Sequence, residues 1–181
     1  KITASDFLWS FNRAANPSTT STTAEDYLGD IIGVSDVIAG KTDTISGIKM
    51  IDNQTIEINI DAPKAYFLAK LTYPVAFVLD KQNLSDPNWI EKPNGSGPFT
   101  LDEYLVGEKL VLKRNDNWHK NIAKLDYVSM NLAGGSAMAM YENCEIDITG
   151  VGMSDLERVL DPSNSLNKDV VVAPLDFSQY Y

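Results

Sequence analysis

The spacing of apolar residues predicts a helix at the start of the chain. Thr3 and Asp6 suit a helix N-terminus, where a side chain three residues on can reach back to the first turn. The pattern extends over residues 4–15 and ends before Pro17, because proline disfavours helix in the residue that precedes it. The apolar face of this helix consists of Phe7, Leu8, Phe11 and Ala15.

Helical spacing returns further along the first eighty residues. It predicts helices over residues 24–32 and 35–39, which Gly33 and Gly40 bound, and a short apolar helix over residues 65–71.

From residue 48 to residue 60 the apolar period changes to two. Ile56, Ile58 and Ile60 alternate with polar residues, and Asp52-Asn53 supplies a turn. The alternation predicts a hairpin with one solvent-exposed face. The apolar run over residues 75–79 predicts a buried strand.

The second half begins after a glycine-rich loop, residues 94–99. A hairpin follows with its turn at residues 106–108, and the apolar runs over residues 125–132, 146–149 and 170–172 predict three further strands. Two helices are expected, one from Ser136 to Glu142 and one that ends at Leu160, with Ser154 and Glu157 as its capping box. Strands and helices alternate, so we predict an α/β fold with mixed sheets and flanking helices.

Composition excludes several classes of protein. The 181 residues carry a formal charge of −10, which argues against nucleic acid binding because a phosphate-binding surface needs clustered cations. The longest apolar run, residues 74–79, is too short for a membrane span, which needs roughly 20 residues. Because the chain starts at Lys1 without methionine or signal peptide, we expect an excised piece of a longer protein.

The residues for common catalytic and metal sites are missing from the sequence. It contains no Gly-x-Ser-x-Gly turn, and His119 is its only histidine, which we expect at the surface beside Trp118. Cys144 is the only cysteine and is expected to be a buried, inert thiol. We therefore predict no enzyme, no cofactor and no resident metal.

Several short motifs follow one another in a characteristic order. They resemble those of the peptide-binding and nickel-binding class of extracellular solute-binding proteins that serve ABC importers. The matching segments are Thr3-Ala4-Ser5-Asp6-Phe7, Gly97-Pro98-Phe99, Glu108-Lys109-Leu110-Val111-Leu112, Asn115 to Trp118 and Glu145-Ile146-Asp147. Cys144 stands where the family usually has the glycine of G-E-I-D.

The resemblance implies a fragment of a type II periplasmic-binding-protein fold. Members of this class are two-lobed clamps that enclose a ligand and pass it to a membrane permease. On that pattern, residues 1–80 are part of an accessory domain. Residues 81–181 then belong to the first ligand-binding lobe and end near its hinge.

The same resemblance suggests ligand-binding residues. Gly150, Val151 and Gly152 match the loop that faces the ligand, and Thr23 lies near the position of an aromatic residue that contacts peptide in relatives. Tyr180 and Tyr181 match the strand that leads to the hinge. Main-chain hydrogen bonds supply much of the affinity in peptide recognition. A loop with small side chains can therefore still bind a peptide.

The expected function is capture of an oligopeptide outside the cytoplasm, in the periplasm or at the cell surface, for an ABC permease. Membrane association is expected only through a lipid anchor outside these residues. Three alternatives remain: a receptor for a peptide signal, a protein of the same class for nickel, heme, sugar or opine, and a hydrolase fragment.

Overall fold

Helices and strands alternate in the computed structural model, which describes residues 1–173. The helices of this part of the chain are α1 (Ala4–Ala15), α2 (Ala24–Leu28), α3 (Val34–Ile38), α4 (Phe67–Lys70), α5 (Ala137–Glu142) and α6 (Met153–Leu160). The strands are β1 (Ile48–Met50), β2 (Ile56–Ile58), β3 (Phe99–Leu105), β4 (Lys109–Arg114) and β5 (Tyr127–Asn131). The mixed α/β class is as the sequence predicts.

The chain folds as two compact units. Unit 1 comprises Lys1–Tyr104 and Leu110–Ser129, and unit 2 comprises Leu105–Lys109 and the residues from Met130 onwards.

Helix α1 has the predicted bounds and the predicted N-terminus. The Asp6 carboxylate accepts a hydrogen bond from the backbone N–H of Thr3 at 2.7 Å, which satisfies a donor that the helix itself leaves unpaired. Further along α1, the side-chain oxygen of Asn12 accepts a hydrogen bond from the backbone N–H of Ile45 at 2.7 Å. This bond holds α1 against the segment that leads into β1.

The apolar core of unit 1 lies among α1, α2, α3 and β1. Its most deeply buried side chains are 2% exposed or less, and burial of such side chains is the main favourable term in folding. They are Phe11, Ala15, Ala24, Leu28, Ile31, Val34, Val37 and Ile45.

Strands β1 and β2 form the predicted antiparallel hairpin, with Ile48 opposite Ile58 and Met50 opposite Ile56. Just before β1, Gly47 donates to the carbonyl of Ile32 at 2.7 Å and accepts from the N–H of Asn59 at 2.8 Å. A Cβ at position 47 would lie 2.6 Å from the Ile32 oxygen, so this close approach requires glycine.

The second sheet has the strand order β3-β4-β5. A short turn joins β3 to β4, as the sequence predicts, and such a turn makes the two strands antiparallel. The backbone N–H of Arg114, at the end of β4, donates to the carbonyl of Asp126, just before β5, at 2.8 Å. The Arg114 side chain also pairs with the Asp126 carboxylate.

Residues 75–79 do not form the predicted strand. Pro74–Ala76 is a turn of 3₁₀ helix, which proline favours at its first position, and the backbone N–H of Leu79 donates to the Ser10 hydroxyl at 2.9 Å. The apolar run signalled burial, and Ala76 is indeed 7% exposed. Burial here comes from packing against a helix rather than from a sheet.

The strands predicted over residues 146–149 and 170–172 are also wrong. Among residues 1–173 neither segment pairs with a strand, and Ile148 and Val171 are 88% and 91% exposed. The predicted helix over residues 24–32 ends early, at Leu28, because Ile31 bridges to Ile60 instead. An apolar run records a tendency to be buried but does not specify a pairing partner.

Unit 2 is built around α5 and α6. Ser136 is the N-cap of α5, as predicted, and accepts from the N–H of Ala139 at 3.4 Å. Arg158 of α6 pairs with Glu142 of α5 at 2.7 Å and with Asp155 at 2.8 Å. Up to residue 173, the buried apolar residues of this unit are Met138 and Val159.

The capping box predicted from Ser154 and Glu157 is wrong. Helix α6 begins two residues earlier, with Gly152 rather than Ser154 as its N-cap, and the Ser154 hydroxyl contacts the Asp155 carboxylate at 3.3 Å. Within residues 1–173, every helix is too short or too polar to cross a bilayer.

Candidate functional site

The turn formed by Gly150, Val151 and Gly152 lies on the surface of unit 2. All three residues are exposed, with Val151 at 39%. The Gly152 carbonyl accepts from the N–H of Asp155 at 3.0 Å, which anchors the end of the turn to α6. The turn is therefore fixed at one end and open to solvent along its length.

This turn can contact a ligand mainly through its backbone N–H and carbonyl groups. Among the described residues, the N–H groups of Gly150 and Val151 donate to no other residue, while the Gly150 carbonyl accepts from the Thr149 hydroxyl at 3.3 Å. A Cβ at position 150 would meet no atom within 4 Å. Such a turn can donate main-chain hydrogen bonds to a carbonyl or carboxylate of a ligand.

Thr23, the other predicted ligand residue of the described chain, lies in unit 1. It is half-buried and occupies the N-cap position of α2, where its carbonyl accepts from the N–H of Tyr27 at 3.2 Å. Its hydroxyl makes no capping hydrogen bond. Thr23 belongs to unit 1 and the Val151 turn belongs to unit 2.

An aromatic pair one helical turn from Thr23 was not predicted from the sequence. The ring of Tyr27 stacks on that of Tyr73, with centroids 3.7 Å apart and planes 8° from parallel. Burial and the neighbouring Tyr73 both raise the pKa of Tyr27. The two tyrosines are distant in sequence, so only the fold reveals the pair.

A buried carboxylate lies at the end of the loop after α2. Asp30 accepts from the Lys64 ammonium at 2.7 Å, and its other oxygen lies 2.8 Å from the Lys70 ammonium. Lys64 also pairs with Asp61 at 2.8 Å. The hydrogen bonds from Lys64 and Lys70 hold the pKa of Asp30 below its ordinary value, despite a burial penalty that acts the other way.

A surface cleft of about 710 Å³ lies in unit 1, beside the glycine-rich loop that precedes β3. Its polar lining includes Asp80, Asn94, Ser96 and Asn115. The Asn115 amide donates to the Gly97 carbonyl at 2.8 Å, which holds the loop against the end of β4. The glycine and proline residues within 94–98 are the sequence signal for the rigid loop that borders this cleft.

The remaining predictions fall on four residues. Tyr180 and Tyr181 lie outside the described residues. His119 is exposed, with its ring 5.8 Å from that of Trp118. Cys144 is exposed rather than buried, and its φ of 59° is in the left-handed region that favours glycine. The structure thus gives the reason for the glycine that the resemblance placed there.

Sequence comparison connects the chain with periplasmic binding proteins. It is 29% identical, over 191 aligned residues, to the periplasmic oligopeptide-binding protein OppA of Escherichia coli. It is 27% identical to the probable deoxycholate-binding periplasmic protein YgiS of the same organism. Each alignment covers 99% of this chain but 35% of the relative, so the chain spans about a third of the length of these proteins.

Structural comparison gives the same relationship. The Escherichia coli murein tripeptide-binding protein MppA superimposes with a TM-score of 0.76 at 26% identity, over 91% of this chain and 34% of MppA. The sequence profile of the bacterial extracellular solute-binding proteins, family 5, middle region, matches residues 1–180. Proteins of this family bind solutes and are not enzymes. The chain therefore belongs to family 5 of the bacterial extracellular solute-binding proteins.

Proposed function

We propose that the protein captures oligopeptides outside the cytoplasm and delivers them to the permease of an ABC importer. The observation that carries this proposal is the likeness to OppA and MppA along almost the whole chain. OppA is an oligopeptide-binding protein and MppA binds murein tripeptide, so both relatives hold short peptides.

The exposed turn of unit 2 supports a peptide ligand. A peptide presents a carbonyl at every residue. The N–H groups of Gly150 and Val151, which have no acceptor among residues 1–173, can pair with such carbonyls whatever the side chains are. This manner of binding suits a transporter that accepts many sequences. Thr23, Tyr180 and Tyr181 are proposed as further ligand contacts from the family resemblance alone.

The proposed domain assignment follows from the same resemblance. Residues 1–80 form part of an accessory domain, and residues 81–181 form part of the first ligand-binding lobe. Enclosure between two lobes buries most of a ligand's surface. We therefore expect high affinity only when a second lobe closes over the Val151 turn.

Native mass spectrometry tests the proposed peptide binding. The sample is the longest natural polypeptide that contains this chain. Purified from its own host without denaturation, it should carry a mixture of short peptides. A single defined peptide would instead favour a signal receptor, and a bound metal ion, heme or sugar would favour another ligand of the same class. Peptide fragments that accumulate during incubation would contradict a binding-only role.

The likeness to YgiS favours a second candidate ligand. YgiS is a probable deoxycholate-binding protein, and its sequence identity to this chain is close to that of OppA. An amphipathic steroid would use apolar surface rather than backbone donors. Titration with deoxycholate, in parallel with a mixed tripeptide library, distinguishes the two, because only one ligand type should raise the melting temperature of the protein.

A further inference from the structure

Asn94-Gly95 is the only Asn-Gly pair in the sequence. It lies in the glycine-rich loop before β3, and both residues are exposed. Gly95 has open space around it, because a Cβ at this position would meet no atom within 4 Å. No neighbouring group therefore crowds the Cα side of Gly95.

Two side chains, those of Asp80 and Asn83, hold Asn94 in place, and we call these three residues the Asp80 clasp. The amide of Asn94 donates to one oxygen of Asp80 at 2.7 Å, and its backbone N–H donates to the Asn83 side-chain oxygen at 3.1 Å. The other oxygen of Asp80 accepts from the backbone N–H of Gln82 at 2.9 Å. The hydrogen bonds from the Asn94 amide and from the backbone N–H groups of Asn83 and Gln82 lower the pKa of Asp80, with the Asn94 amide as the largest cause.

An asparagine followed by glycine is open to attack by its own backbone. The nitrogen of Gly95 can add to the side-chain carbonyl carbon of Asn94, so that a new C–N bond forms, the bond to the side-chain nitrogen breaks, and ammonia leaves. Water then opens the resulting succinimide at either carbonyl, which yields aspartate or isoaspartate. No other reactant is needed, and glycine favours the step because its backbone is free to adopt the required conformation.

We propose that Asn94 is a deamidation site whose rate the hydrogen bond to Asp80 restrains. The attack requires the side-chain carbonyl of Asn94 to turn towards the nitrogen of Gly95. That rotation breaks the 2.7 Å bond to Asp80. The clasp therefore protects Asn94 as long as the loop stays folded.

Deamidation would open the clasp irreversibly. A carboxylate at position 94 has no hydrogen to donate, and it would face the charged Asp80 at hydrogen-bonding distance, where like charges repel. Asp80 and Asn94 both line the cleft of unit 1, so the change also makes that cleft more acidic. The product is a loosened loop with one extra negative charge.

Peptide mapping by mass spectrometry of the full 181-residue chain, aged at mildly alkaline pH, tests the site. In denaturant, where the bond to Asp80 is absent, Asn94 should convert several-fold faster than Asn164, which precedes Ser165 and serves as an internal control. Equal conversion at the two positions would overturn the proposal. Gly95→Ala should slow the reaction at Asn94 several-fold, since an added methyl group crowds the attacking nitrogen without meeting any neighbour.

The role of Asp80 has its own test. Asp80→Ala should raise the rate at Asn94 several-fold and leave that at Asn164 unchanged. Because this variant loses some loop structure, the wild-type chain is also aged in denaturant, where Asn94 should react several-fold faster than in the folded chain. Equal deamidation rates at Asn94 in the folded and the denatured chain would show that the hydrogen bond to Asp80 does not restrain the reaction.

Discussion

Asp30 is the residue whose charge most directly holds unit 1 together. Its side chain is 10% exposed and binds two lysines from the α4 region. Asp30→Asn should lower the free energy of unfolding by about 1–3 kcal/mol, because both ammonium groups lose a buried ionic partner. Chemical denaturation measures this. Asp61→Asn, at a side chain that is 57% exposed, is the matched control and should cost clearly less, because solvent screens an exposed ion pair.

The contribution of Asp30 should depend on pH in one direction. Because its pKa is lower in the folded state, the stabilisation is present at pH values above the ordinary carboxyl value of 3.8 and is lost as the pH falls through the lowered pKa. The stability difference between wild type and Asp30→Asn should therefore be constant near neutral pH and shrink below about pH 4. A difference that grows on acidification would contradict this role for Asp30.

Cys144 occupies a backbone conformation that costs energy for any residue with a side chain. Replacing it with glycine should stabilise unit 2 by up to about 1 kcal/mol, since the left-handed conformation is free of strain only for glycine. Cys144→Ala keeps the Cβ and should leave stability nearly unchanged. Thermal unfolding compares the two variants, and equal melting temperatures would refute the argument.

At the scale of elements, one hydrogen bond joins α1 to the extended segment after Pro74–Ala76. The Ser10 hydroxyl is buried and accepts from the N–H of Leu79 at 2.9 Å. Ser10→Ala should cost about 1–3 kcal/mol, because the N–H of Leu79 then lies buried without an acceptor. Ser5→Ala, on the exposed part of the same helix, should change stability by less than about 0.5 kcal/mol in the same denaturation experiment.

The Ser10 contact also explains which elements could be predicted from the sequence. The helix over residues 4–15 and the hairpins have local signals, namely a cap, a turn and a regular apolar period. The segment 75–79 has an apolar run without a period. Its backbone partner is a serine far away in the sequence, and no local pattern encodes such a partner.

At the scale of the whole molecule, the proposed function depends on the backbone of the Val151 turn. In a polypeptide that binds peptide, Val151→Pro should weaken affinity about tenfold, about 1.4 kcal/mol, because proline removes the N–H that we propose as a donor to a ligand carbonyl. Isothermal titration calorimetry measures the loss. Val151→Ala keeps the N–H and should bind within about twofold of wild type.

The comparison of these two variants is the decisive one. If proline and alanine weaken binding equally, the Val151 side chain rather than the backbone contacts the ligand. If neither has an effect, the turn lies outside the site. Melting curves of both variants show whether α6, which begins just after the turn, remains folded.

The sequence by itself determined the class of fold, the family resemblance and the elements with local signals, because a helix cap or a hairpin turn acts between residues that are close along the chain. It also marked the Val151 turn and, in Cys144, the place of a family glycine. Only the tertiary structure decided which apolar runs form strands, which carboxylate is buried between two lysines, and which tyrosines stack. Those features join residues that are distant in sequence, and their energy exists only when the chain has brought the partners together.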